Sequence, residues 1–207
     1  MCVICISAAG VKQPTKAQCE QMFARNPHGA GFMYLEAGRV RIEKGFMTFP
    51  EFWRAFRAHR FTAGDVTVLH FRISTQAGVQ PEMTQPFPLT DRIETTRALD
   101  CLADLGIAHN GVIRTFSDPT DRVYSDTAHF IAEFLADTVK GPESLSSGFL
   151  DALGEATHSR FAFLDKRGRV FRAGDWIEDG GLYFSNTTYR RFTLRDVNRV
   201  QPMSIYR

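Results

Sequence analysis

The chain opens with MCVICISAAG (residues 1–10), and its run CVICISAA (residues 2–9) is dense in β-branched residues. It therefore reads as a β-strand that begins at Cys2. Side chains alternate across a strand, so Cys2 and Cys5, three positions apart, point to opposite faces and make a poor chelating pair. Removal of Met1, expected when a small residue follows, leaves Cys2 with a thiol and a free α-amino group. That is a nucleophile bonded to its own potential base. An α-amino group with an ordinary pKa of about 7.7–8.0 is neutral in useful amounts near neutral pH.

Outward from that strand, the pattern alternates between the two periods. Thr15 and Gln18 form a capping box that starts a short amphipathic helix, which NPHG at 26–29 ends. GFMYLEAGRVRIEKG at 31–45 reads as a hairpin around Ala37-Gly38. Thr48 and Glu51 box a second helix whose Phe49, Phe52, Trp53 and Phe56 recur at helical spacing, the pattern of a core face. The strand-like DVTVLHFRIS at 65–74 precedes a polar, proline-bearing loop from Thr75 to Thr90. A strand ending in GIAHNGVI follows, then the turn-rich SDPTDR and a helix from near Ser125 with Phe130, Ile131, Phe134 and Leu135 on its apolar face. A further helix is expected over ESLSSGFLDAL at 143–153. RFAFLDKRGRVFRAGDW and GGLYFSNTTYRR carry turn signals at the spacing of antiparallel strands. Strands at both ends with helices between them predict an α+β fold, two antiparallel sheets with helices outside.

The 207 residues, 43% of them hydrophobic and 18 of them phenylalanine, are enough for one sizeable core, so a single domain over 1–207 is expected. A net charge of +2 gives no long-range field suited to nucleic acid or an anionic membrane. The clusters Arg54, Arg57, Arg60 and Arg190, Arg191 read as solvated faces. No apolar run approaches the roughly 18 residues of a membrane span, and CVICISAA lacks a basic leader, so a cytoplasmic location is expected. The four cysteines, Cys2, Cys5, Cys19 and Cys101, are expected as free thiols. Cys2, Cys5, Cys19 and His28 have no repeated pair spacing of the kind a zinc site uses, and no metal or cofactor is expected. A zinc or redox protein built on Cys2 and Cys5 is one rival reading; a binding or scaffold protein without activity is another.

Four motifs carry chemistry in combination. HFRIST at 70–75 sets Arg72 at a strand end, either a surface or ion-paired arginine or one suited to two-point capture of a carboxylate. AHNG at 108–111 places a carboxamide beside a glycine whose N–H can turn into a pocket, either an ordinary Asn-Gly turn or the parts of an oxyanion hole. SDT at 125–127 puts Asp126 in the first turn of a helix, where it either meets the helix dipole or binds an ammonium. Cys2 is either a packed strand residue or, with a free amine, a nucleophile. His70 and His109, which flank these motifs, read as hydrogen-bonded core residues.

In this order the motifs resemble the class II glutamine amidotransferases, N-terminal-nucleophile hydrolases that take the amide nitrogen of glutamine. NPHGAGFMY at 26–34, TQPFP at 84–88 and YFSNTTY at 183–189 are further likenesses to the small stand-alone members, and together they span most of the chain. The chain departs from them in VIC after Cys2, where many members have an early glycine, and in Gln85, where the small relatives often have histidine. The resemblance implies the four-layer αββα N-terminal-nucleophile sandwich with the nucleophile at the start of a central strand. It implies Cys2 as nucleophile, its own amine as base and then acid, and Asn110 and Gly111 as the oxyanion hole. Arg72 would bind the α-carboxylate of glutamine and Asp126 its α-ammonium, with Thr75 lining the pocket. It implies no cofactor. The nitrogen would pass to a partner subunit, because a chain of this length leaves no room for an acceptor domain, or the protein would hydrolyse glutamine or another γ-glutamyl amide on its own.

Overall fold

The computed structural model describes residues 2–74 and 77–191; Met1 and Thr75, both invoked above, lie outside them. The strand expected at the start is β1 (Val3–Ser7), and the expected hairpin is β2 (Ala30–Glu36) with β3 (Arg39–Phe46). Both capping boxes form. Thr15 caps α1 (Lys16–Arg25) and Thr48 caps α2 (Phe49–Ala58), each threonine accepting from the backbone N–H three residues on while the Gln18 or Glu51 side chain reaches back. Each such cap is worth ~1 kcal/mol.

β4 (Thr67–Phe71) is followed after a long connection by β5 (Phe87–Pro88), β6 (Asp100–Ala103) and β7 (Leu105–Asn110). β8 (Arg160–Asp165), β9 (Val170–Ala173), β10 (Ile177–Asp179) and β11 (Leu182–Phe184) complete the described strands. They make two antiparallel sheets: seven strands in the order β10-β11-β1-β4-β2-β3-β6, and four in the order β5-β7-β8-β9. The fold is α+β, as the sequence predicts, and β1 is interior to the larger sheet, with β11 on one side and β4 on the other.

Alternation along the strands sorts the core into three parts. Val3, Cys5, Phe32, Leu69 and Phe71 pack outward against Cys19, Met22, Phe52 and Phe56 of α1 and α2. Ile4, Ile6, Met33, Ile42 and Val68 of the larger sheet meet Ala108, Ala162 and Leu164 of the smaller one. Ile107, Phe161 and Phe163 face the other way, against Ile131, Leu135, Leu150 and Leu153. The aromatic stripe of α2 is thus core: Phe52 is fully buried, with its ring 4.9 Å from that of Phe71. Truncating it to alanine would cost ~3–5 kcal/mol.

Two helical expectations need correction. The helix near Ser125 is not one regular element: Ser125 caps α3 (Asp126–Phe130), a π-helical turn covers Ile131–Leu135, and α4 (Ala136–Thr138) closes it. The wider turn breaks the regular spacing of side chains. Phe130, Ile131 and Leu135 are buried, whereas Phe134 is 42% exposed and stacks on Phe130. The helix expected over 143–153 instead begins later, as α5 (Ser147–Thr157), because the Ser146 hydroxyl accepts from the Phe149 N–H and caps it there; Pro142–Ser144 form a separate 3-10 turn.

The long connection between β4 and β6 is tied down from β3. Lys44 donates to the carbonyl oxygens of Glu82 and Thr96, and its Nζ lies 4.1 Å from the centre of the Phe87 ring. Burial pushes its pKa well below that of an ordinary lysine. No helix among the described residues is long and apolar enough to cross a membrane.

Candidate active site

Cys2 precedes β1, and the antiparallel register that pairs Val3 with Phe71 sets it beside the exit of β4. There the Ile73 N–H points at the Cys2 Sγ at 3.4 Å, and the thiol reaches the Ile73 carbonyl at 3.5 Å. Asn186, just beyond β11, holds the Cys2 carbonyl oxygen at 2.6 Å. Cys5 lies on the opposite face in the core beneath the helices, as alternation predicts. The four cysteines are free thiols. Burial raises the Cys2 thiol above its ordinary pKa, against the opposing pull of the Ile73 N–H and the Arg72 charge. A thiol held protonated in this way needs a base before it can attack.

Arg72 is 4% exposed. Its backbone is clamped from both sides, Arg72 N–H donating to the Gly29 carbonyl at 2.8 Å and the Arg72 carbonyl accepting from His28 N–H at 2.9 Å. Its guanidinium donates to the Gly78 carbonyl at 2.8 Å. Burial lowers its pKa, partly offset by Cys2 and Asp126. His28 extends the clamp, its Nδ1 accepting from the Ser74 N–H at 2.8 Å.

Asp126 sits in the first turn of α3, as expected, but its carboxylate is not reserved for the helix end. Oδ2 accepts from the Ile113 N–H at 2.7 Å and Oδ1 from the Thr127 N–H at 2.8 Å. Burial raises its pKa despite these bonds and the nearby Arg72 charge. The Ile113 bond fastens the loop after β7 to the helix start, and with it Gly111.

Asn110 ends β7 on the side that faces the larger sheet, the side on which Ala108 packs. Gly111 follows where no side chain fits: a Cβ there would lie 1.9 Å from the Ser159 Oγ and 2.7 Å from the Ser159 Cβ. His109 points the other way. Its Nδ1 pairs with the Thr127 hydroxyl at 2.8 Å, its N–H donates to the Gln85 Oε1 at 2.7 Å, and its carbonyl accepts from His70 Nε2 at 3.1 Å. Burial lowers both histidines to a pKa of about 3. His70 is a neutral joint between the sheets and His109 one between the smaller sheet and α3, the core role expected of them.

Cys2, Arg72, Gln85, Gly111, Asp126 and Thr127 line one cavity of about 40 Å³, room for a few waters. The structure thus gathers Cys2, Arg72, Gly111 and Asp126 at one place, with Asn110 beside them; Thr75 is outside the described residues. A buried guanidinium and a buried carboxylate next to a thiol can hold a zwitterion and present one of its bonds to sulfur. Gln85 and Thr127 were not assigned roles from sequence, although TQPFP and SDT contain them; they enter because β5 pairs with β7 and α3 packs beside it. A larger cavity, about 690 Å³, lies between the loop after β7 and α5, walled by Phe116, Phe130, Phe134, Phe149 and Leu153, and holds no cysteine. No group of three or more His, Cys, Asp or Glu among the described residues is arranged to hold a metal ion. No protein-family model matches the chain, and no curated protein matches it significantly.

Proposed function

We propose that the protein is an amide hydrolase of the class II glutamine amidotransferase type, on an N-terminal-nucleophile αββα sandwich, releasing ammonia from glutamine or a related γ-glutamyl amide. The observation that carries this reading is the convergence of Cys2, Arg72, Gly111 and Asp126, distant in sequence, on one cavity. A zwitterionic amino acid needs one fixed cation and one fixed anion away from its reacting amide, and Arg72 and Asp126 supply them.

Loss of Met1 gives Cys2 its α-amine. The amine takes the thiol proton as sulfur attacks the side-chain carbonyl, forming the C–S bond and an oxyanion held by Asn110 Nδ2 and the Gly111 N–H. Collapse breaks the C–N bond, the amine returns the proton to the leaving nitrogen, and ammonia departs. Water, deprotonated by the same amine, then attacks the thioester; the C–S bond breaks, sulfur regains its proton and glutamate leaves. The two buried histidines, one of which (His109) also lines the cavity, are held neutral by burial and are not needed as bases, because the amine of Cys2 serves. The ammonia passes to a partner subunit or to solvent.

The test is an intact-mass measurement of the purified chain together with an ammonia-release assay on glutamine. The processed chain, starting at Cys2, is expected to be active; Cys2→Ala abolishes turnover with the fold retained, and Cys5→Ala keeps most of it. Equal losses from both variants together with a bound metal would favour the zinc reading, and no turnover by a processed chain would favour a binding protein.

A further inference from the structure

The YFSNTTY segment enters no step above, yet its Ser185 and Asn186 touch both halves of the site. Asn186 is fixed by its own bonds: its Oδ1 accepts from the Thr188 N–H and hydroxyl at 3.0 and 2.7 Å, which leaves its Nδ2 for the Cys2 carbonyl. Ser185 is 3% exposed and its Oγ joins the two sheets, accepting from the Ile4 N–H at 2.8 Å and contacting the Asn110 carboxamide at 2.9 Å. With Nδ2 on that contact, the serine oxygen accepts twice, and Asn110 Oδ1 is buried with no partner.

A carboxamide turned by half a revolution about its Cβ–Cγ bond keeps its shape and exchanges oxygen for nitrogen. Turned so, Asn110 Oδ1 accepts the Ser185 O–H, the Ile4 N–H keeps its acceptor, and the orphaned oxygen is satisfied. Nδ2 then takes the buried place where Oδ1 had no partner, on the face of β7 that meets the larger sheet, so it is left for a bound group rather than for a protein acceptor. We infer that Ser185 is a positioning residue: it holds Asn110 by its oxygen, so that the site is offered a donor rather than an acceptor. The catalytic consequence rests on the amide-hydrolase reading, because a developing oxyanion is stabilised by Nδ2 and repelled by Oδ1. The orientation itself does not.

Neutron diffraction from the deuterated full-length protein reads the orientation directly. Oδ1 on Ser185 is expected; deuterons of Nδ2 on Ser185 would overturn the inference. In the ammonia-release assay, Ser185→Ala is expected to lower kcat by roughly 10- to 100-fold, with the KM for glutamine changed less than about twofold because Arg72 and Asp126 are untouched. It should add no further loss in an Asn110→Ala background, and Ser185→Thr, which keeps the hydroxyl, should restore much of kcat. A loss in KM alone, or full additivity with Asn110→Ala, would also overturn it. If the parent protein releases no ammonia, the proposed function falls while the neutron map still decides the orientation, and the map decides equally if Ser185→Ala does not fold.

Discussion

Gly111→Ala is the substitution for which the structure gives the clearest magnitude. The added methyl would lie 1.9 Å from Ser159 Oγ, 2.7 Å from Ser159 Cβ and 3.0 Å from His109 Nε2. Rotation of the serine hydroxyl, now bonded to the Thr157 carbonyl at 3.1 Å, relieves the first contact and not the second. The Ser159 backbone has no room to retreat, since its carbonyl oxygen lies against Gly174 so closely that a Cβ there would come within 2.2 Å. The strain therefore falls on Gly111 itself. Overpacking of this kind costs ~1–3 kcal/mol, and at roughly 2–4 °C per kcal/mol for a chain of this size the melting temperature should drop by about 2–12 °C. Moving the Gly111 N–H away from the reacting carbonyl should lower kcat by roughly 10²–10³-fold. Calorimetry and the ammonia-release assay read the two effects separately. The double variant Gly111→Ala/Ser159→Gly removes both serine contacts and should regain most of the lost melting temperature. Parental melting and turnover in Gly111→Ala, or no recovery in the double variant, would refute the reasoning.

Arg72→Lys should raise the KM for glutamine by roughly tenfold or more, because an ammonium cannot reproduce the planar two-point contact to a carboxylate. Asp126→Asn should raise it too; steady-state kinetics with glutamine checks both, and unchanged KM values would make the two residues structural. His70 and His109, with pKa values of about 3 against an ordinary 6.5, make the fold acid-sensitive. Below pH 6.5 the unfolded chain binds protons that the native state refuses, so stability falls as pH falls from 6.5 towards 3. The slope approaches ~1.4 kcal/mol per pH unit for each histidine. Melting curves between pH 7 and 4.5 should show this fall, and replacing His109 with glutamine should reduce the slope by about half. A flat profile would mean that the two rings are protonated in the native state.

The elements most legible in the sequence are those whose cause is local. The Thr15 and Thr48 capping boxes, the Ala37-Gly38 turn and the β-branched run after Cys2 each hold their own reason within a few residues, and each formed where expected. The opposite facing of Cys2 and Cys5 followed from strand period alone. The π-helical turn did not, because Phe130, Ile131, Phe134 and Leu135 satisfy an ordinary helical spacing and nothing in them marks the break. In the site, Arg72 and Asp126 were legible as charged residues at element ends. The bond that gives Asp126 to Ile113, and the pairing that brings Gln85 against His109, depend on contacts across 13 and 24 residues that no window reveals. YFSNTTY was visible as a motif, but its contact with Asn110 spans 75 residues.

The Lys44 anchorage alters what the stretch between β4 and β6 amounts to. It is long by contour, yet one amino group grips it at Glu82 and again at Thr96. A chain pinned twice along its length samples the freedom of its short free spans, and the entropy of a closed loop depends on span rather than contour. Gln85 lies just past the first pin, so a wall of the site is drawn from a restrained span. Displacing that wall to admit a substrate would first mean pulling a lysine out of its bed.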